Sequence, residues 1–429
     1  MPDERPAALS PYRVLDLTTE IGQYAGRAFA EMGAAVTKVE PPDGDPVRRT
    51  GPFLRDEAGP DRSLLWFALN ASKQGVTCNL EHPDGQAIFR RMLANTDVVI
   101  ESFPPGYLDG LGIGYDQLRA EHPKLVWVSV TGFGQDGPYR DYKWSDLIGL
   151  ALGGLLYLLG EPDRPPVRAR ASQAFYHASL GAALGGMLAL YHARRTGAGQ
   201  RVDVSMQEVV TFTLAGPGGV TGYWSLMHQN ITRAGLAINL GFMVSRVIYG
   251  CKDGHVAVST LFGPHFPRLI DLMKADGAAD FLADNRWKTA TRFSPMPGQW
   301  QCSQEEADAC EGVMERWLLR YTKAEVMQLA RDHELMIFPV NTVPENLASE
   351  QLKSRDYFQQ VAHPELPPKA GRRDLVTNVT YPGPPVALSG TPWRIKGRAP
   401  LLGEHNAQVY GDLGVSEHEL QALRDKGAV

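Results

Sequence analysis

The residues of this chain that could do chemistry lie in a few short groups. Gln173, Tyr176 and His177 stand close together at the start of a long apolar segment. His177 can serve as a base or a nucleophile, although a hydrogen-bonded histidine buried in a tight helix interface is the competing account. The Gln173 amide is a poor nucleophile and would at best position a carbonyl or carboxylate. Tyr176 reads as packing. Upstream, Tyr142-Lys143-Trp144-Ser145-Asp146 sets a lysine three places before an acid. The flexible Lys143 ammonium suits a pyrophosphate, and Asp146 reads as a structural hydrogen-bond acceptor more readily than as a catalyst. Arg48-Arg49 follow a Pro-rich turn, where they can reach a phosphate or stay solvated. Lys73 ends Asn70-Ala71-Ser72-Lys73, and Ser102-Phe103 open a loop after a buried strand.

These groups need a scaffold, and Pro165–Met206 organises it. A Pro-Pro turn leads into a segment with no proline and no charge from Gln173 to Tyr191, followed by Arg194-Arg195-Thr196-Gly197 and an alternating strand, Arg201–Ser205. The middle reads as a buried helix. Ser172 is its expected N-cap, the two arginines suit the negative end of its dipole, and Gly197 stops it. Ala178, Ala182 and Gly186, with Gly181 and Gly185, let another backbone approach closely.

Earlier in the chain, Arg13–Thr18 reads as a buried strand, Tyr24–Met32 as a helix and Ala35–Glu40 as a second strand. The turn holds only Gly22 and Gly26, so the dinucleotide fingerprint fails and nicotinamide binding is set aside. Strands near Gly75–Leu80, Val98–Glu101 and Leu125–Val130 alternate with helices near Asp84–Ala94 and Tyr115–Glu121. That order predicts a mostly parallel sheet with its ligand rim at the strand C-termini. A loop-rich stretch follows, with a hairpin over Tyr249–Val258 turning at Asp253-Gly254. Helices are predicted over Phe266–Ala275, Gln304–Arg331 and Leu347–Arg355, with Pro295 and Pro297 as punctuation. The reading is an α/β protein with a Rossmann-like large domain beginning at 1–210, a small α+β domain over 211–345, and a segment 346–429 returning to the large domain.

Composition excludes several classes. A formal net charge of −5 without a long basic run argues against nucleic acid and anionic membrane surfaces. Cys78, Cys251, Cys302 and Cys310 lack CxxC spacing, so reduced thiols in a cytosolic protein are expected and a zinc site is not. The N-terminus is acidic and Pro-rich, unlike a signal peptide. The apolar run Leu147–Leu159 is too short to span a bilayer. No internal repeat is visible.

Several phrases together resemble the class III CoA-transferases, the carnitine and bile-acid CoA-transferase family. They are Lys38-Val39-Glu40-Pro41-Pro42-Asp43-Gly44-Asp45, the Glu101–Gly106 loop, Thr131-Gly132-Phe133-Gly134, Thr196–Gln200 and Gly403-Glu404-His405. The resemblance covers essentially the whole chain. It implies two chains threaded through each other as an interlocked dimer, and a cytoplasmic enzyme using coenzyme A or acyl-CoA as substrate, with no covalently bound cofactor. In the family an aspartate at the head of the long helix attacks the thioester, and CoA passes through an aspartyl thioester to an acceptor acid. Counting from either flank, that slot holds Phe175, which has no nucleophilic atom. Asp146 stands 29 positions before it, where the family has a supporting acid.

The resemblance further implies CoA contacts from Lys143, Lys73, Ser102, Phe103 and Arg48, and Gln173, His177 and Asp146 are left as catalytic candidates. The racemase branch carries a histidine where Ser145 stands, so racemisation is disfavoured. Three functions follow. The first is CoA transfer between an acyl-CoA and an organic acid. The second is a silent subunit paired with an Asp-bearing paralogue, as in the benzylsuccinate enzymes. The third is an acyl-CoA isomerase or lyase using His177.

Overall fold

Short strands rich in valine and isoleucine, separated by helices, are the pattern of a sheet covered on both faces. The computed structural model of the chain builds such a sheet. It describes residues 5–214, 220–239, 244–259, 265–278, 280–291, 300–301, 303–366 and 377–429, so Pro295, Pro297 and Cys302 lie outside the described residues. The strands are β1 (Arg13–Leu17), β2 (Ala35–Glu40), β3 (Gln74–Thr77), β4 (Val98–Glu101), β5 (Val126–Thr131) and β6 (Arg201–Ser205). They pair in parallel in the order β3-β2-β1-β4-β5-β6. This doubly wound order reverses direction beside β1, which places a crevice at the carboxyl ends of β1 and β4. All six residues of β5 are buried, as expected for a central strand.

The helices of this unit are α1 (Glu20–Glu31), α2 (Leu64–Asn70), α3 (Pro83–Leu93), α4 (Tyr107–Gly110), α5 (Tyr115–Leu118), α6 (Asp146–Leu152), α7 (Gln173–Thr196) and α8 (Met206–Thr213). Helix α1 starts four residues before the position expected from sequence, at Glu20, whose acidic side chain suits a first turn. Helix α7 is about 36 Å long. Its glycines do what their size allows. A Cβ on Gly186 would lie 3.2 Å from both Phe29 of α1 and Val128 of β5, and one on Gly185 would lie 2.8 Å from Val202 of β6. The helix therefore rests directly on α1 and the sheet. Gly197 ends it with φ 78°, its N–H bonded to Ala193 O at 2.9 Å.

The start of α7 departs from expectation. Ser172 does not cap it, because its backbone is left-handed (φ 47°, ψ 48°) and its hydroxyl turns away. Asp146, the first residue of α6, caps it instead: Oδ1 accepts the Ala174 N–H at 2.9 Å.

Contacts divide the chain into two units, one of 1–153, 170–213 and 350–429, and one of 154–169 and 214–349. The second carries a three-stranded sheet in the order Ile337–Pro339, Gly254–Val258, Ile248–Cys251. The hairpin turns at Lys252-Asp253, one residue before the expected pair, because Cys251 and Gly254 are already matched across the ladder. The expected helix over Gln304–Arg331 is two helices, Gln304–Leu318 and Lys323–Asp332. Thr322 and Glu325 form a capping box between them. The expected helix Leu347–Arg355 likewise divides into Val343–Ala348 and Glu350–Ser354. Tyr249, Val256, Leu269, Trp287 and Trp317 are core residues of this unit. Among the described residues no helix is long and apolar enough to cross a membrane, and no group of three His, Cys, Asp or Glu could hold a metal ion.

Candidate active site

The phrase Lys38–Asp45 is a latch. Lys38 Nζ donates to Thr18 O at 2.5 Å and meets Asp45 Oδ2 at 3.1 Å. Asp45 also receives the Val47 N–H, capping a 3-10 turn over Pro46–Arg49. That turn carries Arg48 inward. Its Nε and Nη2 donate to both oxygens of Glu40, Nη1 to Asp61 and Pro60 O, and Nη2 also to Pro400 O. The guanidinium carbon lies 3.7 Å above the Trp66 ring. Arg48 is only 1% exposed. It locks the loop to the tail and has no donor left for a phosphate, which corrects the expected CoA contact.

Lys73 is corrected on the same ground. Its ammonium is fully buried against Asp16 (2.7 Å), Gln23 O (2.7 Å) and Asn70 Oδ1 (2.8 Å). Burial lowers its pKa to about 8, and Asp16 works in the opposite direction. Asp16 keeps its charge: burial would raise its pKa, but Lys73 and Lys38 together hold it below the ordinary value. Gln23 extends the network to Asp45 and Asn70. The first turns of α1 are thereby pinned to β1, α2 and the latch.

Ser102 and Phe103 stand at the crevice. Ser102 Oγ accepts the Thr19 N–H at 2.8 Å, and Phe103 stacks on Tyr107 with ring centroids 4.9 Å apart. Glu101, just before them, is buried and receives the Phe103 N–H at 2.8 Å. Burial lifts its pKa to about 7. A cleft of about 440 Å³ opens here, lined by Leu17, Thr19, Val39–Asp43, Cys78–Glu81, Phe103 and Tyr107. It lies at the carboxyl ends of β1, β2, β3 and β4. Its lining mixes prolines and aromatics with the carboxylates of Glu40, Asp43, Asp45 and Glu81 and with Lys38, which is paired to Asp45.

The head of α7 forms a second, much smaller hollow, lined by Glu20, Tyr24, Leu65, Leu69, Ser172, Phe175, Tyr176 and Ser179. Phe175 is half-buried here, and Tyr176 meets Tyr24 edge-on at 5.3 Å. Ser172 Oγ donates to Glu20 Oε1 at 2.7 Å. Thr19 lines the large cleft, and its neighbour in sequence, Glu20, lines the small hollow.

The catalytic candidates fare unequally. Asp146 is buried and serves as the helix cap. The Gln173 amide turns back on its own chain, donating to Arg170 O and Ala171 O at 3.2 Å each. His177 is half-buried, and among the described residues its Nδ1 finds no hydrogen-bond partner. Lys143 is exposed, next in sequence to Tyr142, which stacks on Tyr139. The sequence reading passed over Glu20, Thr19 and Tyr107. Glu20 lies between Leu17, the last residue of β1, and the body of α1. An acid in the first turn of a helix is an ordinary partner of its dipole, and no motif surrounds this one to mark it as more.

The model of CoA-transferase family III matches residues 9–406. The succinyl-CoA:(R)-benzylsuccinate CoA-transferase subunit BbsE of Thauera aromatica is 33% identical over 98% of each chain. The succinyl-CoA–D-citramalate CoA-transferase of Chloroflexus aurantiacus is 31% identical over 99% of this chain and 98% of its own. A CAIB/BAIF family protein from Brucella suis shares the fold, with a TM-score of 0.80 at 24% identity over 95% of this chain and all of its own. A match of this extent settles the lineage: the chain belongs to CoA-transferase family III.

Proposed function

We propose that this CoA-transferase takes its CoA thioester in the cleft at the carboxyl ends of β1–β4, with the thioester end directed past Thr19 to the head of α7. The protein moves CoA between an acyl-CoA thioester and an organic carboxylic acid. The observation that supports the placement is the 440 Å³ cleft at the carboxyl ends of β1–β4, whose wall includes Thr19, with the next residue, Glu20, lining the Phe175 hollow. Phe103 and Tyr107 offer an aromatic wall for the nucleotide half, and Lys143 an exposed cation for its phosphates. Succinyl-CoA is the proposed donor, since two relatives are named for it. Equilibrium dialysis with CoA tests the reading. The chain should bind CoA, and Phe103→Ala should weaken binding about tenfold or more through lost stacking. Unchanged affinity in that variant removes the cleft from consideration.

A second reading has its own support. Leu180, Leu184, Leu188 and Tyr191 form a stripe along α7, each 48–61% exposed. Such a stripe asks for a covering chain. Together with Phe175 and a relative named as a subunit, it favours assembly with a homologous chain, either a second copy interlocked with this one or an Asp-bearing paralogue. Native mass spectrometry of protein from its own cells separates a homodimer from a heteromer.

A further inference from the structure

We propose that Glu20 supplies the nucleophilic carboxylate that Phe175 cannot. The proposal rests on the placement of the thioester argued above. Family chemistry needs a carboxylate at the head of α7, and Glu20 is the carboxylate that lines the hollow containing Phe175. Among the described residues, its Oε1 accepts the Ser172 hydroxyl at 2.7 Å and its Oε2 has no hydrogen-bond partner. One oxygen is oriented and the other is left to attack. Thr19, the preceding residue, forms part of the cleft wall, about 3.8 Å away between Cα atoms. The proposal requires the thioester end of the ligand to pass from that wall to the Glu20 carboxylate.

Its setting is rigid. Gln23, one turn later, has its carbonyl held by Lys73 and its side chain by Asp45 and Asn70. On the facing side, Ala171 and Ser172 are both left-handed, at φ 65° and 47°. Such strain in two non-glycine residues persists where the surroundings over-determine it, and here it carries the Ser172 hydroxyl to Glu20.

The chemistry balances without any further reagent. Glu20 Oε2 adds to the thioester carbonyl, the C–S bond breaks, and CoA leaves as thiolate, giving a mixed glutamyl anhydride. The thiolate attacks Glu20 Cδ, the bond from Cδ to the bridging oxygen breaks, and the donor acid leaves as its carboxylate, giving a glutamyl-CoA thioester. The acceptor carboxylate attacks Cδ and expels the thiolate, forming a new anhydride. The thiolate then attacks the acceptor's acyl carbon, releasing the new acyl-CoA and the Glu20 carboxylate. Each cycle sends one Glu20 oxygen out with the donor acid and replaces it with one from the acceptor.

That oxygen traffic gives the test. The full chain, with any partner it carries, is incubated with succinyl-CoA and ¹⁸O-labelled succinate, then digested and mapped by mass spectrometry. Heavy oxygen is expected in the Glu20 carboxyl. Glu20→Gln is expected to lower exchange about 10³-fold or more. Ser172→Gly suits the left-handed backbone and removes the hydroxyl; it should still admit label into Glu20, more slowly. Exchange with the label in an aspartate of a second chain, in Asp146, or in no carboxylate of this chain overturns the assignment and leaves CoA transfer standing. A chain that neither binds CoA in dialysis nor takes up label overturns the placement of the thioester, and this assignment with it.

Discussion

Replacing Lys73 by Met separates a structural cation from a phosphate ligand. The side chain is of similar length, so the cavity is largely refilled and the perturbation is the lost charge. Lys73 Nζ makes three bonds, to Asp16, Gln23 O and Asn70. Without it Asp16 is a buried carboxylate left with the Thr18 N–H and hydroxyl and the more distant charge of Lys38. Breaking a buried pair from one side costs about 3–5 kcal/mol. For a unit of this size that lowers Tm by roughly 10 °C. Thermal unfolding followed by circular dichroism reads this directly. Adding Asp16→Asn removes the stranded charge, and the double variant should recover most of the loss. A Tm within about 2 °C of the parent, together with weakened CoA binding, would refute the structural account and restore Lys73 as a ligand.

Other consequences are as concrete. Burial lifts Glu101 from 4.5 to about 7, so between those values the folded protein holds a proton that the unfolded chain has released. Stability therefore falls as pH rises through this window, by about 3 kcal/mol in all. Glu101→Gln should remove that fall, and denaturant titrations with parallel pH profiles for parent and variant would contradict it. Phe175→Asp in the Glu20→Gln background returns a carboxylate to the head of α7 and should restore measurable succinyl-CoA exchange; no recovery would place the thioester elsewhere. Gly26→Ala puts a methyl 2.1 Å from Asp16 Oδ2. It should cost about 1–3 kcal/mol or more through overpacking, read as a drop in Tm.

The alternation of valine-rich strands with helices made the parallel sheet legible, and the run of small residues in α7 announced a close helix contact. Asp146 reads from the sequence as a structural hydrogen-bond acceptor, and its carboxylate accepts the Ala174 N–H at the head of α7. Other features could not be read. Ser172 looks like a helix cap by residue type, but its backbone is left-handed and its hydroxyl belongs to Glu20, 152 positions away. Lys73 and Arg48 have the composition of phosphate ligands. Their partners, Asp16 and Pro400 O, are 57 and 352 positions distant, so only the folded chain shows them to be spent inside it.

The edge strand β3 is finished by the far end of the chain. His405 Nδ1 accepts the Gly75 N–H, Asn406 Oδ1 accepts the Thr77 N–H, and the Tyr410 hydroxyl donates to Thr77 O. Gly75 and His405 stand 330 positions apart. During synthesis the first strands emerge early, yet the outer edge of their sheet stays open until the ribosome has made the whole intervening unit. A stalled or truncated chain thus presents an unpaired strand rim, the kind of surface that recruits other chains.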